Sequence, residues 1–272
     1  MDTLTNSRWE ALVSSDYEWL MPLPIKSKYG IKYIATPPFI QQLGIFGPSD
    51  ASEELITHFI NESLKRVAYL DLKLNWKNIL INDFRDEKTQ RTNLILDISA
   101  DYEDIKSNYS DNLKRNIQKA NNSSLSFSHC SIRNIISLFQ NDRGKKLKVA
   151  NAAWYNSIDQ IYNVASFRSK GKCLGVYDKS GELLAGMFIL EWQGKATFIF
   201  SGNSESGKKI GALPALIDYY IQNAGDTIKE FDFEGSDDEG LKRFYKSFGS
   251  VESNYVHLIV NRLPFYLRWL KA

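Results

Sequence analysis

Cysteine and histidine are scarce in this chain, and their scarcity removes whole classes of chemistry. The two cysteines, Cys130 and Cys173, lie in separate strand-like runs, and neither has a metal-ligand partner at useful spacing. A disulfide scaffold and a structural metal site are therefore excluded, and no metal is expected; reduced, structural thiols remain. The three histidines form no Ser-His-Asp or His-Glu-x-x-His arrangement, and no Cys-x-x-Cys occurs, so hydrolase and metalloenzyme readings lack residues. His58 falls in an amphipathic segment and His129 beside Cys130, as surface or packing residues; His257 alternates with Tyr255 and Ile259 on a last strand that faces a cleft or the core. Excess charge of one sign is also missing. The formal net charge is +2 and the dense basic clusters are short, which excludes the broad electrostatic footprint of a DNA-binding protein. There is no apolar run of about 18 residues, and Met1 to Asn6 lacks a basic region leading into an apolar one. A soluble, cytoplasmic protein without integral membrane association is the expectation.

What is present is material for a large core. With 43% hydrophobic and 24% charged residues over 272 positions, the chain can form two domains of ordinary size. The first half opens with strand-like runs at 19–25 and 31–36, joined by Lys26-Ser27-Lys28-Tyr29-Gly30 as a hairpin. Asp50 and Glu53 have capping-box spacing, and Leu55, Ile56, Phe59, Ile60 and Leu64 recur on one helical face, predicting a helix over 50–66. Strands follow at 67–74 and 93–99. From 101 to 121, Ile105, Tyr109, Leu113, Ile117 and Ala120 keep a three-to-four spacing, while Lys114, Arg115 and Lys119 lie off that stripe: a long, basic-faced helix with a break near Ser110.

After the polar break Asn121-Asn122-Ser123-Ser124, the order is a strand at 125–130, helices at 132–140 and 154–167, and strands at 172–177, 183–192 and 195–201. The last three are separated by the turns Asp178-Lys179-Ser180-Gly181 and Gln193-Gly194. A helix carrying Leu213, Leu216, Ile217, Tyr220 and Ile221 ends at Gly225. A strand at 228–233, a helix at 237–247 and a strand at 251–261 complete the β-α-α-β-β-β-α-β-α-β order. The aromatic-rich tail 264–270 is expected to pack on the body as a short helix.

That order resembles the GNAT acyltransferase fold. Ser110 to Ala120 looks like the basic inter-domain helix of the Fem-type peptidoglycan aminoacyltransferases, and Gly240 to Gly249 is similar to their Gly-Leu…Phe-Lys…Phe-Gly segment. The Fem lysine directly after Phe is Tyr245 here, with Lys246 one place later. The resemblance implies an α/β fold, an α+β mixed sheet in two tandem GNAT-like halves, 1–122 and 123–272, with the active site in the second. It further implies a bacterial-type N-acyltransferase taking acyl-CoA or aminoacyl-tRNA as donor and passing the group to an amine acceptor, a small molecule or a cell-wall precursor. A catalytically silent GNAT-like binding module for a nucleotide-sugar or glycan precursor is the alternative.

Acyl transfer needs a held donor, groups aimed at the oxyanion, a base and an acid. Between the strand ending near Ser201 and the next helix, Ser206, Gly207, Lys208, Lys209 and Gly211 form a small-residue, lysine-bearing loop entering a helix N-terminus, a place for phosphate; a plain solvated loop is the other reading. Leu213 stands where the GNAT pattern ends in Gly or Ala, and Pro214 suits a first helical turn. Asp232 and Glu234, two apart at a strand's carboxyl end, share a face and present a base, with Asp232 as helix cap or partner of Arg243 the structural reading. Tyr245 is placed, by the resemblance, to protonate a leaving thiolate, or else packs in the core, with Lys246 as the displaced Fem lysine. Lys114, Arg115 and Lys119 would meet tRNA or a phosphorylated sugar-lipid, or form a solvated helix face.

Overall fold

A computed structural model describes residues 1–80, 87–147, 150–235 and 238–271. The N-terminal turn α1 (Asp2–Thr5) leads into β1 (Glu10–Val13) and β2 (Leu20–Leu23), which pair antiparallel with each other. β3 (Ile25–Lys28) and β4 (Ile31–Ala35) form the hairpin, closed by Tyr29 and Gly30, both at positive φ. The first predicted run thus divides at Pro24 between two pairings. The cap of α2 (Glu53–Leu64) lies two residues later than expected: Ser52 rather than Asp50 caps it, its hydroxyl accepting from Leu55 N–H at 3.2 Å. β5 (Tyr69–Lys73) and β6 (Glu87–Asp97) follow, then α3 (Tyr102–Ser107) and α4 (Asp111–Asn121). The break falls at Ser110, whose side chain caps α4 through Leu113 N–H.

The remaining elements are β7 (Ser126–His129), α5 (Ile132–Asn141), α6 (Ala152–Phe167), β8 (Gly171–Tyr177), β9 (Leu183–Trp192), β10 (Lys195–Asn203), α7 (Glu205–Ile210), α8 (Ala212–Asn223), β11 (Glu230–Asp232), α9 (Glu239–Lys246) and β12 (Val251–Asn261). Gln193 and Gly194, both at positive φ, turn β9 into β10 as their sequence demands. Asp178 Oδ1 accepts from Ser180 and Glu182 N–H at 2.9 Å, fixing the turn between β8 and β9.

Contacts divide the chain into two compact units, Met1–Thr92 with Ser253–Ala272, and Asn93–Glu252. This differs from a division at residue 122, because α4 packs on α8 and the closing strand β12 pairs with β5. In the first unit the strand order is β3-β4-β5-β12, with β4 and β5 parallel and the other pairs antiparallel. Leu70 and Leu72 of β5, and Leu74 just past its end, share its core with Ile56, Phe59 and Ile60 of α2.

The second unit is a mixed sheet in the order β6-β11-β10-β9-β8-β7, with β10 and β11 parallel. β9 is buried on both faces: Ala185, Met187 and Ile189 join the core under α8, while Phe188 meets Tyr162 of α6 at 5.6 Å between ring centroids. The tail departs from expectation in its packing. Phe265–Lys271 is the expected short helix, of 3-10 type, preceded by buried Leu263, but Phe265 is 84% and Tyr266 61% exposed rather than packed. No helix among the described residues is long and apolar enough to cross a membrane.

Candidate functional site

Pairing between β10 and β11 ends at Thr197 and Asp232, and β10 then runs on to Asn203 paired with β9. Just beyond the end of that pairing β10 shifts register against β9, between Phe198 and Phe200. Where the two strands part lies a cleft of about 280 Å³ within the second unit. Its apolar wall includes Phe198, Leu213 and Phe244, and its polar wall includes Asn116, Asp142, Arg143, Asn203 and Lys208, with Tyr245 and Gly211 also lining it.

Gly211 joins α7 to α8 at φ 77°, and a Cβ there would lie 2.7 Å from the Asn116 carbonyl oxygen. Only glycine permits both that backbone conformation and the close approach of α4. α8 begins at Ala212 without a side-chain cap and with Pro214 in its first turn. The positive end of the α8 dipole therefore faces the cleft with no carboxylate or hydroxyl capping it.

The expected phosphate loop is itself helical. Ser204 caps α7 through Gly207 N–H at 2.9 Å, and Lys208 N–H bonds the Ser204 carbonyl, so amides expected to be free are used internally. Ser206 shares a 2.9 Å hydroxyl contact with Ser204, and Lys209 is exposed. Lys208 reaches the cleft, but its ammonium lies 2.5 Å from Asp142 Oδ1 and 2.8 Å from Glu205 Oε1. The Asp142 and Glu205 carboxylates hold that ammonium's pKa above its ordinary value.

Asp232 and Glu234 do not share a strand face. β11 ends at Asp232, Phe231, Asp232 and Phe233 are all buried, and Glu234 takes a left-handed φ of 57°. Asp232 pairs with neither Arg243 nor a helix end: its Oδ2 meets Lys195 Nζ at 2.5 Å and its Oδ1 accepts from Glu234 N–H at 2.8 Å. Lys195 also holds Glu230 at 2.8 Å; burial acts to lower its pKa, and the Asp232 and Glu230 charges outweigh that and raise it. Asp232 is thus a structural counter-ion, and Asp238 takes the cap of α9 instead. Lys246 likewise leaves the site, its ammonium pairing with Glu252, which also holds Lys242 at 3.2 Å.

Of the catalytic candidates Asp232, Glu234, Tyr245 and Lys246, Tyr245 lines the cleft. Its ring stacks on Phe233 at 4.8 Å between centroids, it is 7% exposed, and among the described residues its hydroxyl has no hydrogen-bond partner. Burial raises its pKa; the nearby Arg143 charge lowers it, and Glu234 and Asp238 raise it further. Glu234 is therefore close enough to be felt electrostatically by the phenol. On α4, Arg115 and Lys119 are exposed and the Lys114 ammonium donates to Ser107 O at 2.8 Å, while their neighbour Asn116 lines the cleft. The Asn203 side-chain oxygen is buried without a donor among the described residues.

Asp142, Arg143, Asn116 and Asn203 were not singled out by sequence. Asn116 does lie in the basic helix that resembles the Fem segment, whereas Asp142-Arg143 reads as an ordinary connection. His257 sits in the first unit, buried, with Nε2 2.8 Å from Asp71 Oδ1. His58 belongs to α2 and His129 ends β7. Cys130 and Cys173 are buried free thiols. Among the described residues no group of three or more His, Cys, Asp or Glu could hold a metal.

Solved structures share this fold over nearly the whole chain. FemX has this fold over 99% of this chain and 92% of its own, at a TM-score of 0.65 and 11% identity. L-PGS from Bacillus licheniformis matches 98% of this chain and 89% of its own, at a TM-score of 0.59 and 13% identity. A tandem GNAT protein from the clavulanic acid biosynthesis pathway covers 92% of this chain and 81% of its own, at a TM-score of 0.52 and 9% identity. At such identities the likeness is one of fold. No protein-family model and no curated protein matches the chain.

Proposed function

We propose that the second unit transfers an acyl or aminoacyl group from acyl-CoA or aminoacyl-tRNA to an amine acceptor, a cell-wall precursor among the candidates. The observation that carries this reading is the unpartnered Tyr245 hydroxyl lining the same cleft as Gly211 and Leu213 at the start of α8. A donor phosphate would lie at that helix N-terminus, which would bring the acyl carbonyl toward Tyr245. The acceptor nitrogen then adds to the acyl carbon, the carbon–sulfur or carbon–oxygen bond breaks, and the Tyr245 proton passes to the departing atom. A phenol whose pKa is raised by burial keeps its proton at neutral pH and suits that role. Glu234 or water would take the proton released from nitrogen. With a tRNA donor, Arg115 and Lys119 on α4 would contact phosphates, with Lys114 behind them.

The ion pairs that occupy Asp232, Lys208 and Lys246 favour a second reading, a silent binding module for a nucleotide-sugar or glycan precursor. Thermal shift with coenzyme A, acetyl-CoA and a UDP-linked muropeptide separates the two, followed by a donor screen with mass-spectrometric detection of the acylated amine. A ligand at a hundred times its dissociation constant adds about 2.7 kcal/mol. Stabilisation by the muropeptide alone, with no product from any donor, would replace transfer by binding.

A further inference from the structure

One end of the first unit's sheet collects exposed aromatic rings and basic side chains. β4 begins there, after the β3–β4 turn that carries Lys28 and Tyr29; β5 begins there and β12 ends there, since Tyr33 pairs with Tyr69 and Tyr69 with Asn261. Backbone hydrogen bonds tie the three strands together at this edge: Ala68 N–H donates to Lys32 O at 3.1 Å, and Arg262 N–H to Ala68 O at 2.9 Å. The tail Phe265–Lys271 continues from the same edge. Tyr29 is 83%, Phe265 84% and Tyr266 61% exposed. Three large rings in water on one end are unlike singly scattered surface apolar residues and mark an interaction surface.

The charges around them have one sign. Lys32 and Arg262 are exposed beside the strand ends, Lys28 lies over the Tyr29 ring at 5.4 Å, and Arg268 donates to Leu263 O at 3.1 Å. None of these four cations has a carboxylate partner among the described residues. The nearby Lys65 and Arg66 are neutralised by Glu62 at 2.5 Å and Glu10 at 2.6 Å. From Asn261 to Ala272 the sequence has no acidic residue.

We propose that this end is a peripheral docking surface for an anionic lipid bilayer. Tyr and Phe side chains are favoured at headgroup level, where the ring body is in apolar surroundings and the edge in water. Lysine and arginine around them extend their charges to anionic headgroups while their stems cover apolar surface. The rings sit on the β3–β4 turn and on the segment after β12, exposed positions that suit shallow insertion into a planar interface. Neither cation nor ring alone would hold the protein; together they supply the two signals that stable peripheral binding takes.

Co-sedimentation of the full chain with vesicles tests this, using phosphatidylcholine alone and phosphatidylcholine with one third phosphatidylglycerol, at low and high salt. Binding to the anionic vesicles, weakened by salt, is the expected result. Replacing Lys28, Lys32 and Arg262 by Glu should lower the partition by roughly a hundredfold, since each cation near an anionic surface contributes about fivefold. Tyr29→Ser with Phe265→Ser should lower it at both salts. Phe167→Ser, at a residue 91% exposed in the second unit, should leave it unchanged. All of these positions are exposed, so melting temperatures should stay close to wild type. No partition into anionic vesicles, or equal loss in the Phe167 variant, overturns the proposal. Binding of single-stranded RNA, or self-association, that depends on the same residues while vesicles are ignored overturns it in favour of that partner.

Discussion

The Asp232 carboxylate accepts the Glu234 N–H at 2.8 Å while Glu234 stands at φ 57°. A non-glycine residue in that region costs on the order of 1 kcal/mol or more and persists only where its surroundings over-determine it. Asp232 does this from a buried position in which Lys195 balances its charge. Its contribution to the site is indirect: it fixes the turn that carries Glu234 past the end of β11 and toward α9.

Asp232→Asn should therefore act on stability first. Removing the Asp232 charge leaves Lys195 with Glu230 as its remaining carboxylate partner, and the loss should be about 2 kcal/mol, less than for a fully buried pair because Lys195 keeps Glu230 and access to water. Urea unfolding at neutral pH measures it. A wild-type midpoint together with abolished transfer would instead make Asp232 a participant in the chemistry.

How much of this was legible in the sequence depended on the range of the determining contact. Ser110 and Gln193-Gly194 act within four residues, and both the helix break and the hairpin were readable. Asp232 and Glu234 were not, because alternation assumes a continuing strand, and β11 stops at Asp232 where the αL turn begins. The ion pairs of the lysines were out of reach for another reason: Lys246 meets Glu252 across a helix-to-strand connection, and Lys208 meets Asp142 from a different helix. The Gly202–Gly211 segment read as a loop because its small residues hide a six-residue helix, capped by Ser204.

Alkaline pH should unfold the protein from within. Burial raises the pKa of Tyr102, Tyr109, Tyr220 and Tyr245 from 10.0, with the Asp218 charge adding to the first two and Glu191 to the third. Burial also pushes the Cys130 thiol from 9.0 to about 12. The folded state binds these protons more tightly than the unfolded state. Their stabilisation is therefore whole below pH 9 and is lost as pH rises past 9 for Cys130 and past 10 for the tyrosines. The urea midpoint should fall steeply between pH 9 and 11, with phenolate absorbance at 295 nm for these residues appearing together with unfolding. A midpoint that stays flat over that range would mean these side chains are solvated.

Tyr245→Phe isolates the hydroxyl. The ring's contact with Phe233 remains and no hydrogen bond is lost, so stability should change by less than about 0.5 kcal/mol. Transfer should slow by about a hundredfold at saturating donor, with donor affinity preserved, because only proton delivery to the leaving group is removed. The residual rate should recover with donors whose leaving group is more acidic. Equal slowing for good and poor leaving groups would show that Tyr245 positions the donor rather than protonating it.

The Asp142–Lys208 pair makes the sharpest claim about the donor end of the cleft. Lys208 is neutralised by two carboxylates, so the attraction for phosphate rests on the uncapped start of α8. A phosphate bound there must compete with Asp142 for the lysine or do without it. Asp142→Asn removes the more buried of the two competitors, leaves a side chain of the same shape, and leaves Lys208 held by the exposed Glu205 alone, from which it can turn toward the anion. Calorimetric affinity for coenzyme A should then rise by roughly fivefold, about 1 kcal/mol, and the gain should shrink as salt is raised. Lys208→Ala in the Asp142→Asn background should remove the gain entirely, since the two residues act as one unit. If Asp142→Asn leaves affinity unchanged while Gly211→Ala abolishes it, the anion sits on the α8 amides alone. If neither substitution matters, the phosphate lies outside this cleft.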